Sequence, residues 1–297
     1  MAVNANYADK YQNELDQLWQ EGAHTSVVET PNVDWLNAKS FRVQSISTTG
    51  YKPHTRNKGY NEGNVENTEE IYTLDFDRDV EFFVDKADVD ETRQALSAAN
   101  ITREFTRTHA IPEMDAYRFS KMANYVQESR FGLSQTQTLT ESNVFDELKA
   151  GLRELRKFGP QNVVMWVSSE TMDALEDSEK FTRHIDVSSG PTGLDTRVTS
   201  IDGVQLIEVF DGARFKDKYD FTEGFTPADD AKDINFMAVM RPAIIAKAKF
   251  NSVYLHQPGS HTEGDGFLYQ NRIYHDLFVM KNKEDRLVAS FKTPETT

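Results

Sequence analysis

An α+β fold is predicted by three patterns in this 297-residue sequence. Residues 74–84 alternate with period two: Leu74, Phe76, Arg78, Val80, Phe82 and Val84 face one way, nearly all apolar, and Asp75, Asp77, Asp79, Glu81 and Phe83 face the other, nearly all acidic, as on a half-buried strand. Residues 111–126 and 143–155 carry apolar side chains at helical spacing, and strand-like runs return from residue 236 to the end. Composition narrows the class further. The net charge is −15, which argues against a protein that wraps nucleic acid or coats an anionic membrane. With no cysteine, disulfide scaffolds, thiolate zinc sites and thiol catalysis are excluded. Apolar residues make up only 38% but aromatics 11%, which predicts a folded yet thin or elongated shape that shares its burial with neighbouring subunits. No stretch approaches the ~18 apolar residues of a membrane-spanning helix, and residues 1–20 lack the apolar core of a secretory signal. The expected place of synthesis is the cytosol.

Along the chain, Tyr11, Leu15, Leu18 and Trp19 predict an amphipathic helix over 8–21, stopped by Gly22. Residues 41–48 read as a strand and 49–67 as an exposed loop with Gly50, Pro53, Gly59 and Gly63. Pairing 41–48 with 74–84 makes a long two-stranded ribbon, marginal by itself and in need of cover. A helix is expected over 88–109, with Val89, Leu96, Ala99, Ile101 and Phe105 on its stripe. Pro112 either starts a second helix or kinks one long rod, which carries Met114, Tyr117, Met122, Tyr125 and Val126. Residues 130–141 are turn-like. Ser142 or Asn143 caps a helix bearing Phe145, Leu148, Leu152 and Leu155, ended by Gly159-Pro160. A buried strand over 163–167 precedes a short helix with Met172 and Leu175, and Asp202-Gly203 marks a tight hairpin between 197–201 and 204–209. Residues 211–233 read as a charged loop region, and strands follow at 236–241, 252–256, 267–275, 277–281 and 287–291.

Chemical motifs are sparse. His256 and His261 flank a loop with Glu263 and Asp265, but their spacing matches no rigid ligand geometry. Asp75-x-Asp77-x-Asp79 opens like a calcium loop, yet Val80 and Lys86 stand where glycine and glutamate are required. Gly264-x-Gly266 precedes a strand and has Tyr269 where the third glycine of a dinucleotide fingerprint belongs. No catalytic, cofactor or metal residue is therefore assigned, and no cofactor is expected. Charge along the loop is more informative: Lys52, His54, Arg56 and Lys58 cluster at its tip within an acidic protein. They form either an ordinary solvated loop or a projecting arm whose basic tip meets an acidic patch on a neighbour, the kind of head-to-tail contact that builds rings and lattices.

Three phrases carry a resemblance: Ile111-Pro-Glu-Met-Asp-Ala-Tyr-Arg-Phe-Ser-Lys-Met-Ala123, Tyr219-Asp-Phe-Thr-Glu-Gly-Phe-Thr-Pro227 and Tyr269-Gln-Asn-Arg-Ile-Tyr-His-Asp-Leu-Phe-Val279. Together they resemble the major capsid proteins of tailed bacteriophages, whose fold is shared with encapsulins, and the likeness covers most of the chain beyond residue 40. The resemblance implies an N-terminal arm over 1–39 and an extended loop, the E-loop, over 40–85 that lies on an adjacent subunit. It further implies a peripheral domain from 86–135 (with its long spine helix) and 236–297, and an axial domain over 136–235. The implied protein is structural rather than enzymatic. It assembles with itself into hexamers and pentamers of an icosahedral virion capsid in the host cytoplasm and encloses double-stranded DNA without sequence-specific binding, away from any membrane. A separate scaffolding protein is expected, because the region before the ribbon is too short to be one, as are a portal and decoration proteins. The alternatives are an encapsulin-type nanocompartment shell and a soluble α/β enzyme without a recognised motif.

Overall fold

The structure, a computed structural model, describes residues 22–31, 33–37, 39–54, 60–87, 98–128, 133–179, 199–260 and 264–293. The helix expected over 8–21, the stripe residues Val89 and Leu96, and Arg56, Lys58, His261 and Glu263 lie outside them. Strands β1 (Asp34–Trp35), β2 (Ser40–Thr48) and β3 (Val65–Thr73) form an antiparallel ribbon in that order. The long strands β12 (Ile244–His256) and β13 (Gly266–Val279) pair with β4 (Phe76–Asp85) in a three-stranded antiparallel sheet. A mixed six-stranded sheet has the order β5 (Leu133–Thr136), β14 (Leu287–Phe291), β11 (Ile234–Met240), β6 (Val163–Ser168), β8 (Val204–Val209), β7 (Ser200–Ile201). A short hairpin, β9 (Tyr219–Asp220) with β10 (Thr226–Pro227), stands apart. The helices are α1 (Ala98–Phe105), α2 (Ile111–Glu128), α3 (Val144–Arg156) and α4 (Ser169–Asp177).

The six-stranded sheet explains its own sequence. It is covered on both faces, so its central strands read as unbroken apolar runs rather than alternating ones. Val164, Trp166, Met237, Val239, Leu287 and Ala289 turn towards Phe119, Met122 and Val126 of α2. Met165, Val167, Phe236, Ala238 and Val288 turn towards Leu148, Leu152 and Leu155 of α3 and Met172 and Leu175 of α4. β4 is the opposite case: its positions alternate between half-buried and exposed. Its inner side chains Val80 and Phe82 join Tyr269 and Ile273 against Ile111 and Met114 of α2. One helix thus seats on both sheets.

Several expectations are corrected. The partner of β2 is not the alternating strand but β3, register Ser40↔Thr73 to Thr48↔Val65, while β4 pairs with β13 from Gly266↔Asp85 to His275↔Phe76. Leu74 and Asp75 carry the chain from one to the other, with Leu74 fully buried. β3 escaped the sequence reading because Glu66, Asn67, Thr68, Glu69 and Glu70 gave it no apolar face. Within the stretch read as turn-like, β5 pairs in parallel with β14. The segments 267–275 and 277–281 are one strand, and 252–256 is the end of a longer one. Asn143 occupies the N-cap position of α3, but its Oδ1 accepts from the Thr140 N–H at 2.8 Å instead of capping the helix. Pro112 lies in the first turn of α2 (Ile111–Glu128), the first of the two expectations, where a missing amide hydrogen is tolerated. Residues Thr106–Ala110 form a π-helical turn between α1 and α2, in which the Ile111 N–H bonds the Thr106 carbonyl. At Asp202 (φ 50°) and Gly203 (φ 80°) the tight hairpin forms as expected.

Candidate assembly surface

The ribbon has two unlike faces, set by strand register. Phe41 and Tyr72 lie opposite one another and, with Val43, pack onto Leu74, Ile245, Tyr274 and Phe278. Phe41 meets the Trp35 ring edge-on at a centroid distance of 5.5 Å. Tyr72 donates its hydroxyl to Glu70; burial and that carboxylate raise the phenol's pKa. This face fixes the ribbon base to the body. On the other face Ile46, Val65 and Ile71 are 69%, 67% and 65% exposed. Between them Arg42 pairs with Glu69 at 3.3 Å and Gln44 donates to the same carboxylate at 3.1 Å. Ile46 and Val65 lie towards the tip end of this face and Ile71 towards its base, with the polar cluster between them.

At the tip, Tyr51 and Tyr60 are fully exposed. Lys52 Nζ donates to the Glu62 carbonyl at 3.0 Å and Asn61 Nδ2 to the Pro53 carbonyl at 2.9 Å, so the described flanks of the loop are tied across. His54 lies near the Tyr60 ring, centroids 6.4 Å apart. Of the four basic tip residues expected to meet a neighbour, the structure brings Lys52 and His54 to one place; Arg56 and Lys58 lie outside the described residues. The exposed apolar stripe was missed in the sequence. Its only signal was the shared parity of Val65, Asn67, Glu69 and Ile71, hidden by the polar residues between.

A second feature missed by sequence reading is a buried polar clasp on α2. The Asp115 carboxylate, fully buried, accepts from the His24 N–H and the Thr25 N–H at 3.0 Å each and from Thr25 Oγ1 at 2.7 Å. It thereby satisfies the free amides at the start of a short 3-10 helix (His24–Val28). Arg214 approaches the same carboxylate at 3.4 Å, and Arg118, also fully buried, lies 3.3 Å from Thr25 Oγ1 and 3.6 Å from Glu29. Trp166 Nε1 donates to the His24 carbonyl at 2.9 Å. Residues 23–29 are thus locked onto the rod. Farther along, Asp276 accepts from Tyr117 at 2.9 Å and pairs with Lys121. Next to it, burial and the nearby Arg118, Arg78 and Lys121 hold the pKa of His275 well below the ordinary histidine value. These charged groups sit among packed side chains rather than around an open pocket, an arrangement suited to holding elements in place. Among the described residues, no group of three or more His, Asp or Glu is placed to hold a metal ion, and no helix is long and apolar enough to cross a membrane.

No protein-family model matches the sequence, and no curated protein matches it. Solved structures do. The mature capsid of bacteriophage PhiM1 matches with a TM-score of 0.61 at 14% identity, over 90% of this chain and 86% of that one. The capsid of cyanophage P-SCSP1u matches with a TM-score of 0.60 at 9% identity, over 90% and 87%. A virus-like particle from Pyrococcus furiosus matches with a TM-score of 0.54 at 12% identity, over 96% and 99%. The fold of this chain is the one shared by these phage capsids and the archaeal particle.

Proposed function

We propose that this chain is the major capsid subunit of a tailed bacteriophage or prophage, assembling with its own copies into hexamers and pentamers of an icosahedral shell around double-stranded DNA. One observation carries the reading: within a capsid-type fold, the ribbon is fastened at its base and leaves Ile46, Val65 and Ile71 uncovered, which is useful only if a neighbour covers them. In capsid terms, 1–39 is the N-terminal arm and 40–85 the extended loop, with β4 its return to the body. Residues 86–135 and 236–297 supply the peripheral domain around the α1–α2 rod. Residues 136–235 supply the axial domain, and β11 and β14 thread back into its sheet. A separate scaffolding protein, a portal and decoration proteins are the expected partners, and the host cytoplasm the place of assembly. The charge of −15 fits a wall along which packaged DNA slides without sticking.

An encapsulin-type shell enclosing a protein cargo is the second reading, favoured by the near end-to-end match to the Pyrococcus furiosus particle. Size exclusion with light scattering and negative-stain imaging of the recombinant protein tests both. Megadalton particles or capsomers are expected, and nucleic acid versus protein contents separates the two. A stable monomer at all concentrations would sink them together.

A further inference from the structure

Three half-buried cations line one cleft at the root of the ribbon. The cleft has a volume of about 630 Å³ and lies where residues 27–34, β2 and the turns Arg241–Ala243 and Lys281–Lys283 meet. Much of its lining is apolar, with Val27, Val43, Ile244, Ile245 and Met280 among its residues. The cations are Arg42, Arg241 and Lys283. Arg42 reaches Glu69 with Nη1 at 3.3 Å, but its Nε is buried with no acceptor among the described residues. Arg241 donates to the Gln161 carbonyl at 2.5 Å and Lys283 Nζ to the Pro242 carbonyl at 2.8 Å. Among the described residues, neither of these two has a carboxylate partner. Burial, reinforced by Arg286, holds the pKa of the Lys283 ammonium below the ordinary lysine value, so its charge is not well compensated where it stands. Glu29 and Asp34 also line the cleft. Glu29 faces the buried Arg118 at 3.6 Å, and Asp34 stands opposite Arg42 in strand register. In a chain where 48 acidic residues outnumber 33 basic ones, Arg241 and Lys283 remain unanswered.

We propose that this cleft binds a small organic anion, a carboxylate or phosphate head on a short apolar chain. The head meets Arg241 and Lys283, and the chain lies along Val43, Ile245 and Met280. Known small-molecule sites have volumes of about 300–1,000 Å³ and pair a mostly apolar lining with a few convergent polar groups, which describes this cleft. A guanidinium and an ammonium both give charge-assisted hydrogen bonds to an oxyanion. A neutral chain would leave the two cations without an acceptor, and a bare inorganic anion would leave the apolar lining wet. The site does not depend on the shell reading. Its occupant touches residues 27–34, the ribbon and both turns at once, and so braces the root of the ribbon against the body.

Titration calorimetry of the whole chain tests the site with decanoate, decyl phosphate, decanol, decyltrimethylammonium and inorganic phosphate, all below micelle-forming concentrations. Saturable binding of decanoate or decyl phosphate at a single site per chain is expected. Decanol and inorganic phosphate should each bind at least about tenfold more weakly, and the ammonium compound not at all. The tighter of the two acids tells a carboxylate source from a phosphate one. Arg241→Gln with Lys283→Gln is expected to weaken binding of the acids by at least about tenfold. Amine labelling of the unmodified chain, read by mass spectrometry, places the ligand without any variant. The bound acid is expected to slow labelling of Lys283 and to leave Lys281, whose side chain is 80% exposed, unchanged. The proposal is overturned by any of three results: no saturable binding of either acid, decanol binding as tightly as the acids, or Lys283 labelling untouched by the bound acid. A folded glutamine variant that binds like the parent overturns it equally.

Discussion

Asp115 concentrates more structural consequence than any other single residue described. Its carboxylate serves three donors from residues 24–25 and pairs with Arg214. Removing it leaves those buried donors without their acceptor and Arg214 with Asp211 alone, a loss of about 3–5 kcal/mol. Asp115→Ala is accordingly expected to lower the denaturant midpoint and open residues 23–29 to protease, whereas Asp115→Asn, which keeps one acceptor, falls between. Chemical denaturation with limited proteolysis checks this. His275 gives a pH dependence of known sign. Its folded pKa lies well below 6.5, so the unfolded chain binds the extra proton first. Its stabilising contribution is complete above about pH 6.5 and is lost as pH falls below that value towards the folded pKa, with a slope of at most about 1.4 kcal/mol per pH unit. Comparing His275→Gln with the parent between neutral pH and the onset of carboxylate titration is expected to show a flatter stability profile for the variant. Equal slopes would mean that His275 does not stay neutral inside. Neither residue announced itself in the sequence, because nothing in the spacing of Asp115 to Thr25 or of His275 to Arg118 foretells contact.

Among the elements, local periodicity told the truth about secondary structure and misled about pairing. The alternation over 74–84 correctly marks a strand with one acidic, exposed face, but it is silent on which strand lies alongside. Nearness in sequence favoured β2 as its partner; β13, nearly two hundred residues away, is the actual one. What decides is burial: Phe82 and Val80 reach the Ile111–Met114 surface of α2 only from the β13 side. That junction is close-fitting. A Cβ added at Gly266 would stand 2.4 Å from the Val84 carbonyl oxygen and 2.6 Å from the Phe83 ring, whereas at Gly50 it meets nothing within 4 Å. Backbone cannot swing aside as a side chain does, so Gly266→Ala is expected to cost at least the ~1–3 kcal/mol typical of overpacking. Gly50→Ala should stay within about 0.5 kcal/mol of the parent. Thermal unfolding of the two variants side by side checks the contrast. The tight Asp202-Gly203 hairpin and the unbroken apolar strand β6 were readable in advance because each depends only on local backbone preference or on burial of both faces.

For the whole molecule, assembly is where charge becomes a testable quantity. Reversing Lys52, Arg56 and Lys58 to Glu is expected to leave the subunit folded but weaken particle formation, most at low ionic strength, where opposite charges attract over the longest range. Light scattering over a salt series reads the effect; normal assembly at every salt concentration would remove the electrostatic part of the contact. The proposed shell, being acidic, is likewise expected not to retain added DNA at low salt, which a gel-shift measurement on assembled particles checks.

Composition, period and turn chemistry determined by themselves that the chain is α+β and acidic, with Lys52, His54, Arg56 and Lys58 clustered in the loop after β2. The resemblance of three short phrases pointed to the capsid fold, and comparison of the folded chain bears that fold out. Tertiary structure alone decided that β2 joins β3, that β4 joins β13, that α2 serves two sheets and that Asp115 clasps residues 23–29. The reason is physical: side-chain period and turn residues act over a few positions and are written in the order of the chain. Partners across a sheet or a buried ion pair are chosen by which surfaces, distant in that order, exclude water together.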